Sequence, residues 1–126
     1  MQTRKIGSLE VSVVGLWCNN FGWRLDAEGS ARVVGAAIDN GINFFDTADI
    51  YGGTKSEEFL GRARGTRRKS VIVATKFGMK SNELPGGAGP DYVRASVENS
   101  LRMLGTEYID LYQLHQPEPS VPPAET

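Results

Sequence analysis

This sequence predicts an α/β fold, a parallel sheet with helices outside it. Three observations carry that expectation. Four apolar, strand-like runs are separated by three helical patterns, so strand and helix alternate along the chain. One run, Val71-Ile72-Val73-Ala74-Thr75, is unbroken and β-branched, which suits a strand covered on both faces. The interval from strand to strand is on the order of the 30 or more residues of a βαβ unit. Right-handed crossovers then bring every strand's carboxyl end to one edge of the sheet, where α/β proteins do their chemistry.

The elements follow in order. Thr3-Arg4-Lys5-Ile6 and Leu9-Glu10-Val11-Ser12-Val13 flank Gly7-Ser8, a hairpin signal over residues 3–12. Val13-Val14-Gly15-Leu16-Trp17 reads as a buried strand, and a polar loop over 19–29 follows it. The next helix carries Val33, Val34, Ala37 and Ile38 at helical spacing and stops at Asn40-Gly41. Gly35 inside it costs about 1 kcal/mol relative to alanine. Ile42-Asn43-Phe44-Phe45 is a short strand ending at Asp46. Thr54-Lys55-Ser56-Glu57 fits a capping box, with a hydroxyl at the cap and a carboxylate three residues on. The helix it opens presents Phe59, Leu60 and Ala63 to one side and ends near Gly65. The strand at 71–75 ends at Lys76, and a long glycine-rich loop covers 78–90. Pro90-Asp91 starts a third helix, with Val93, Val97, Leu101 and Leu104 on one stripe and Gly105 closing it. Tyr108-Ile109-Asp110-Leu111-Tyr112-Gln113-Leu114 is the fourth strand, ending at His115. Residues 116–126 read as a loop running into a further helix, with a disordered proline-rich tail as the alternative.

At 126 residues, with 40% hydrophobic and 23% charged content, the chain is long enough for one domain with a real core. A net charge of −1 and a pI near 5.8 give no electrostatic case for nucleic acid or an anionic membrane surface. The one basic cluster, Arg62, Arg64, Arg67, Arg68 and Lys69, sits around a helix end and reads as a solvated surface compatible with the helix dipole. Cys18 is alone, so no internal disulfide forms, and a reducing, cytoplasmic setting is the expectation. The charges near the N-terminus have no apolar region behind them, so no signal peptide is expected. No apolar stretch approaches the roughly 20 residues of a membrane span.

Four polar residues stand where strands end or loops begin: Asp46, Tyr51, Lys76 and His115. Three of them have plain structural explanations when taken singly. Asp caps turns, a tyrosine before Gly-Gly can be a wall residue with a solvated hydroxyl, and a lone histidine is more often hydrogen-bonded structure. Lys76 is odder, because a lysine ending an apolar strand needs a partner. The conjunction changes the odds. The expected topology gathers all four at one rim, and a tyrosine held beside a lysine there is a device for moving a proton. Competing chemistries lack their residues. One histidine and scattered carboxylates give no metal-ligand spacing. There is no Gly-x-Ser-x-Gly elbow, and Cys18 has no histidine near it in sequence. Gly15-Leu16-Trp17-Cys18-Asn19-Asn20-Phe21-Gly22 lacks the glycine spacing of a Rossmann fingerprint.

Gly41-Ile42-Asn43-Phe44-Phe45-Asp46-Thr47-Ala48-Asp49-Ile50-Tyr51-Gly52 resembles the most diagnostic motif of the aldo-keto reductases, and Ser56-Glu57-Glu58-Phe59-Leu60-Gly61 continues it. Val73-Ala74-Thr75-Lys76 is similar to that family's third-strand lysine motif. Ile109-Asp110-Leu111-Tyr112-Gln113-Leu114-His115 is similar to its fourth-strand histidine motif. The resemblance spans nearly the whole chain. It implies a (β/α)₈ TIM-type barrel with an N-terminal hairpin across its bottom. One partial domain over 1–126 would hold about the first four strands: the hairpin at 3–12, βα units over about 13–115, and 116–126 entering a missing helix.

The resemblance also implies carbonyl reduction with NADPH, on a small aldehyde or ketone. Tyr51 would be the general acid, and Lys76, as a neighbouring cation, would favour its phenolate. Asp46 would hold Lys76 charged and oriented and, with Trp17, lie against the cofactor. His115 would hydrogen-bond the substrate carbonyl, with Trp23 as a further substrate contact. No metal is implied.

Two departures accompany it. The family usually has glycine where this chain has Trp17, so the indole is expected to narrow or obstruct the pocket. A complete barrel needs about 250 residues, and the family's adenine and 2′-phosphate grip lies mainly in its last strands. The chain therefore reads as the N-terminal half of an NADP-dependent oxidoreductase, inactive in isolation, with open sheet edges that favour self-association. The alternative is a non-catalytic regulatory or interaction module, in the manner of the potassium-channel beta subunits.

Overall fold

The computed structural model describes residues 1–126. The chain opens with an antiparallel hairpin of β1 (Thr3–Ile6) and β2 (Leu9–Ser12), Thr3 facing Ser12 and Ile6 facing Leu9. Gly7 makes the turn at φ +59°, a left-handed conformation that glycine adopts without penalty. Asn43 ties the hairpin to the rest. Its Oδ1 accepts from the Ser12 amide at 2.7 Å, and its Nδ2 donates to the Glu10 carbonyl at 3.0 Å.

Strands and helices then alternate: β3 (Gly15–Trp17), α1 (Ala27–Asp39), β4 (Phe44–Asp46), α2 (Ser56–Arg64), β5 (Ile72–Phe77), α3 (Pro90–Leu104) and β6 (Leu111–Leu114). The four strands lie in the order β3-β4-β5-β6, and every pairing is parallel. The alternation in the sequence thus gives the layered parallel sheet it predicts. No helix is long and apolar enough to cross a membrane.

Register decides what faces what. Trp17 pairs with Asp46, Asp46 with Ala74, and Lys76 with Gln113. Side chains alternate faces along a strand, so Trp17, Asp46, Ala74, Lys76 and Gln113 share one face, and His115 continues it two residues past Gln113. The opposite face carries Leu16, Phe45, Val73, Thr75, Phe77 and Tyr112, and the helices cover it. Phe45, Val73, Leu60, Val34 and Leu104 form the centre of that core, all fully buried. Each such side chain contributes roughly 1.5–3 kcal/mol on leaving water.

The helices begin and end on local chemistry. The Asp26 side chain accepts from the Gly29 amide at 2.8 Å and caps α1. Pro90 opens α3, and Gly105 closes it in the left-handed region at φ +60°. Gly61 lets α2 approach the end of α3, since a Cβ there would lie 2.4 Å from the Leu104 carbonyl oxygen.

Four expectations are corrected. The run 13–17 is not a buried strand: Val13 and Val14 are half exposed and outside β3, and Trp17 is exposed. β3 is an edge strand with a partner on one side only, and none of these three residues packs against the buried cluster. The capping box at 54–57 is absent. Thr54 sits at φ +70°, α2 starts at Ser56, and no side chain caps it. Ser56 and Glu57 are buried instead. The Ser56 hydroxyl donates to the Cys18 carbonyl at 2.8 Å, and Glu57 accepts from the Thr75 hydroxyl at 2.6 Å. The basic cluster is not all solvated surface, because Arg64 and Arg68 are buried. Arg64 donates to the carbonyls of Leu104 and Gly105, both at 2.8 Å, and so satisfies the free end of α3. Arg68 donates to the Tyr108 carbonyl and pairs with Asp110, both at 2.8 Å. That grip also explains the fourth correction, a last strand that begins at Leu111 rather than Tyr108.

Candidate active site

The site stands at the carboxyl edge of the sheet, on the face away from the helices. Asp46 is the last residue of β4, and Lys76 the fifth of the six in β5. The apolar residues before each of them anchor their strands in the core, so the polar side chain emerges where the packing ends. Lys76 Nζ forms an ion pair with Asp46, donates to the Thr47 carbonyl at 2.9 Å, and lies 3.4 Å from Tyr51 Oη. An ammonium has three hydrogens, and this lysine has three oxygens around it.

Tyr51 lies on the loop between β4 and α2. The loop's backbone extends the sheet bonding: the Thr47 amide donates to the Ala74 carbonyl at 2.9 Å and the Asp49 amide to the Lys76 carbonyl at 3.1 Å. Gly52, at φ +60°, presses against the loop after β3 so closely that a Cβ would lie 1.9 Å from the Phe21 carbonyl oxygen. Glycine is required there by both conformation and space. The loop is therefore seated on two sides, and Tyr51 Oη is set over Lys76.

His115 follows β6, with its amide donating to the Phe77 carbonyl at 2.8 Å. Its ring stands edge-on to Tyr51, centroids 5.6 Å apart and planes at 86°. Burial, and then the charge of Lys76, push the imidazole below its ordinary pKa, with Asp46 opposing weakly. It is therefore neutral at pH 7, with one N–H and one lone pair. Its Nδ1 is buried without a partner.

The structure thus brings Asp46, Tyr51, Lys76 and His115 together. Trp17 joins them from β3, its indole Nε1 donating to Tyr51 Oη at 3.1 Å. Trp23 does not join them. It lines a cavity of about 210 Å³ with Gly22, Leu25, Asp26, Lys55 and Phe59, under the Arg24 guanidinium. The hydrogen-bond donors gathered at Tyr51 suit a reaction in which an oxygen gains negative charge and a proton. The nicotinamide end of the cofactor that the resemblance implies would meet this face at Asp46 and Trp17, beside Lys76 Nζ and Tyr51 Oη. Its phosphates find no match here, because Lys76 is the one cation bonded to Asp46 and Tyr51 and is already paired.

The sequence reading missed a second polar group, on the covered face. Asp49 is 5% exposed and Glu57 1%. Burial first, and Glu57 second, push the Asp49 carboxyl up to about 7. Burial also raises Glu57. Asp49 Oδ1 has no partner and borders a cavity of about 150 Å³ lined by Tyr92, Ser96 and Asn99 of α3. One signal was available: Thr75 lies beside Lys76, so it faces the helices, toward Glu57.

Residues 13–126 match the family model described as Aldo/keto reductase family. A probable aldo-keto reductase 1 from Glycine max is 38% identical over 136 residues, covering 100% of this chain and 39% of the relative. An aldo-keto reductase from Schizosaccharomyces pombe, yakc [NADP(+)], is 37% identical over 123 residues, covering 90% and 36%. The holo form of aldo-keto reductase AKR11C1 from Bacillus halodurans superposes with a TM-score of 0.88 at 36% identity, over 99% of this chain and 43% of that one. The chain spans about two fifths of the length of these relatives. Its four-stranded sheet is accordingly a partial (β/α)₈ barrel.

Proposed function

The chain belongs to the aldo/keto reductase family, and from that premise we propose that it supplies the proton-transfer machinery of an NADP-dependent oxidoreductase that reduces aldehydes or ketones to alcohols. The NADP(+) in the name of the Schizosaccharomyces pombe relative supports the choice of cofactor. Activity is proposed for the whole barrel rather than for these 126 residues alone.

The observation that carries the reading is the position of Lys76 Nζ, bonded to Asp46 and 3.4 Å from Tyr51 Oη. When bound, NADPH would supply the hydride taken up by the carbonyl carbon, becoming NADP+. The chain supplies the proton. Tyr51 gives its hydroxyl proton to the carbonyl oxygen as that oxygen gains charge. The phenolate left behind is stabilised by the ammonium of Lys76, which Asp46 keeps charged and aimed. His115, neutral because burial and Lys76 disfavour its cation, offers a ring N–H to the same carbonyl oxygen and orients it. The carbonyl oxygen thereby meets two donors, one that transfers its proton and one that holds.

The test is Tyr51→Phe in the full-length protein, with NADPH binding followed by nucleotide fluorescence and carbonyl reduction by NADPH absorbance. Binding is expected to persist while turnover falls about 10²- to 10⁴-fold. Turnover at the parent rate removes Tyr51 from its role.

A further inference from the structure

Trp17 contacts the one oxygen on which this reading turns. The indole Nε1 lies 3.1 Å from Tyr51 Oη, and the two rings meet edge-on with centroids 6.4 Å apart at 60°. A phenol oxygen has one hydrogen to give and two lone pairs to receive. Here Trp17 Nε1–H and Lys76 Nζ supply two donors. With both lone pairs engaged, the hydroxyl hydrogen is directed away from the indole and the ammonium. After the proton leaves, both donors still point at the oxygen.

Packing within these residues does not account for Trp17, which is 61% exposed and takes no part in the core they form. Its placement follows from register, since it pairs with Asp46 and shares the site face.

We propose that Trp17 is a positioning residue for Tyr51, holding the phenol oxygen by its indole N–H so that the hydroxyl proton is presented to the substrate carbonyl and the resulting phenolate keeps a second donor. The proposal rests on the reductase reading above. It differs from a role as a bulky wall, which any large ring would fill.

The full-length protein and its Trp17→Phe and Tyr51→Phe variants separate the two. Phenylalanine keeps a ring and removes the donor. In Trp17→Phe at saturating NADPH, kcat for a small aldehyde is expected to fall about 10-fold, the scale of one hydrogen bond to a charged oxygen, with KM for the aldehyde within about twofold, since the substrate itself is untouched. An unchanged kcat overturns the proposal, and so does a rise in KM alone, which marks a wall. The second readout needs no turnover. The indole N–H resonance of Trp17 is expected to shift upfield and to exchange faster with solvent in Tyr51→Phe, and an unmoved resonance overturns the contact. If the parent reduces no carbonyl, the reductase reading fails and the catalytic proposal falls with it, while the resonance still reports whether the indole meets the phenol.

Discussion

The two faces of the four-stranded sheet each carry a close pair of ionisable groups, and the pairs are opposite in kind. On the open face Lys76 meets Asp46, unlike charges with side chains 15% and 25% exposed. On the covered face Asp49 stands near Glu57, like charges with almost no exposure. The first pair satisfies itself while both members are ionised. The second is disfavoured when both members ionise, since burial and then the charge of Glu57 push the Asp49 carboxyl up to about 7. The lesson is that one strand serves two electrostatic regimes. Lys76 and Thr75 are adjacent in β5, and a change at the first should appear in rate while a change behind the second should appear in stability.

The comparison can be broken most easily at its strongest point. Lys76→Met should lower the rate of carbonyl reduction about 10²- to 10³-fold, with little loss of NADPH binding, because Tyr51 loses its cation and Asp46 its partner. A variant that keeps the parent rate would mean that the open pair has no part in the reaction.

Next in size are changes behind the sheet. Gly61→Ala places a methyl against the Leu104 backbone, and Arg64→Met leaves the Leu104 and Gly105 carbonyls unpaired. Each is expected to cost on the order of 1–3 kcal/mol in denaturant unfolding without changing kcat. A fall in kcat at unchanged stability would erase the distinction between the faces.

Asp49→Asn should sharpen it. Folding raises this carboxyl from 3.8 to about 7, so between those values the folded protein holds a proton that the unfolded chain releases. The contribution of this group to stability should therefore be fully present below about pH 4, be lost as pH rises toward 7, and change little above that. Glu57 acts on this carboxyl, and Tyr112 in turn feels both. Asparagine removes the dependence. Thermal melting should show no gain at pH 4 and a gain on the order of 5 °C at pH 8. The same profile in parent and variant would assign the pH dependence to other groups.

The smallest effect belongs to the surface. Glu28 and Arg32 form an exposed ion pair at 2.5 Å on α1. Glu28→Ala should change unfolding by less than about 0.5 kcal/mol.

The strand-end residues were legible in the sequence because an apolar run that stops at a charge records both the strand and its exit from the core. That is why Asp46, Lys76 and His115 could be located before any coordinates. The alternation of β and α was legible for a similar reason, since each period is local. What escaped depends on partners distant in the chain. The pattern at 54–57 has the residues of a capping box, but Ser56 and Glu57 found Cys18 and Thr75, 38 and 18 residues away, and turned inward. Arg64 and Arg68 look like surface until the end of α3 arrives with carbonyls to satisfy. Val13 and Val14 look like core, but hydrophobicity does not say whether a neighbour exists to cover it. The bond from Trp17 to Tyr51 is a matter of register across two strands and a loop, which no window of sequence displays.

The stagger of the open face has a practical meaning for anyone altering this chain. Trp17 and Asp46 are level with Ala74, while Lys76 and then His115 stand progressively farther along. Slipping β5 by one position against β4 would turn the ammonium toward the helices and Thr75 toward the mouth. Length changes in the 78–90 loop leave that count intact, whereas a single residue added inside 72–76 would dismantle the reaction centre while leaving its composition unaltered.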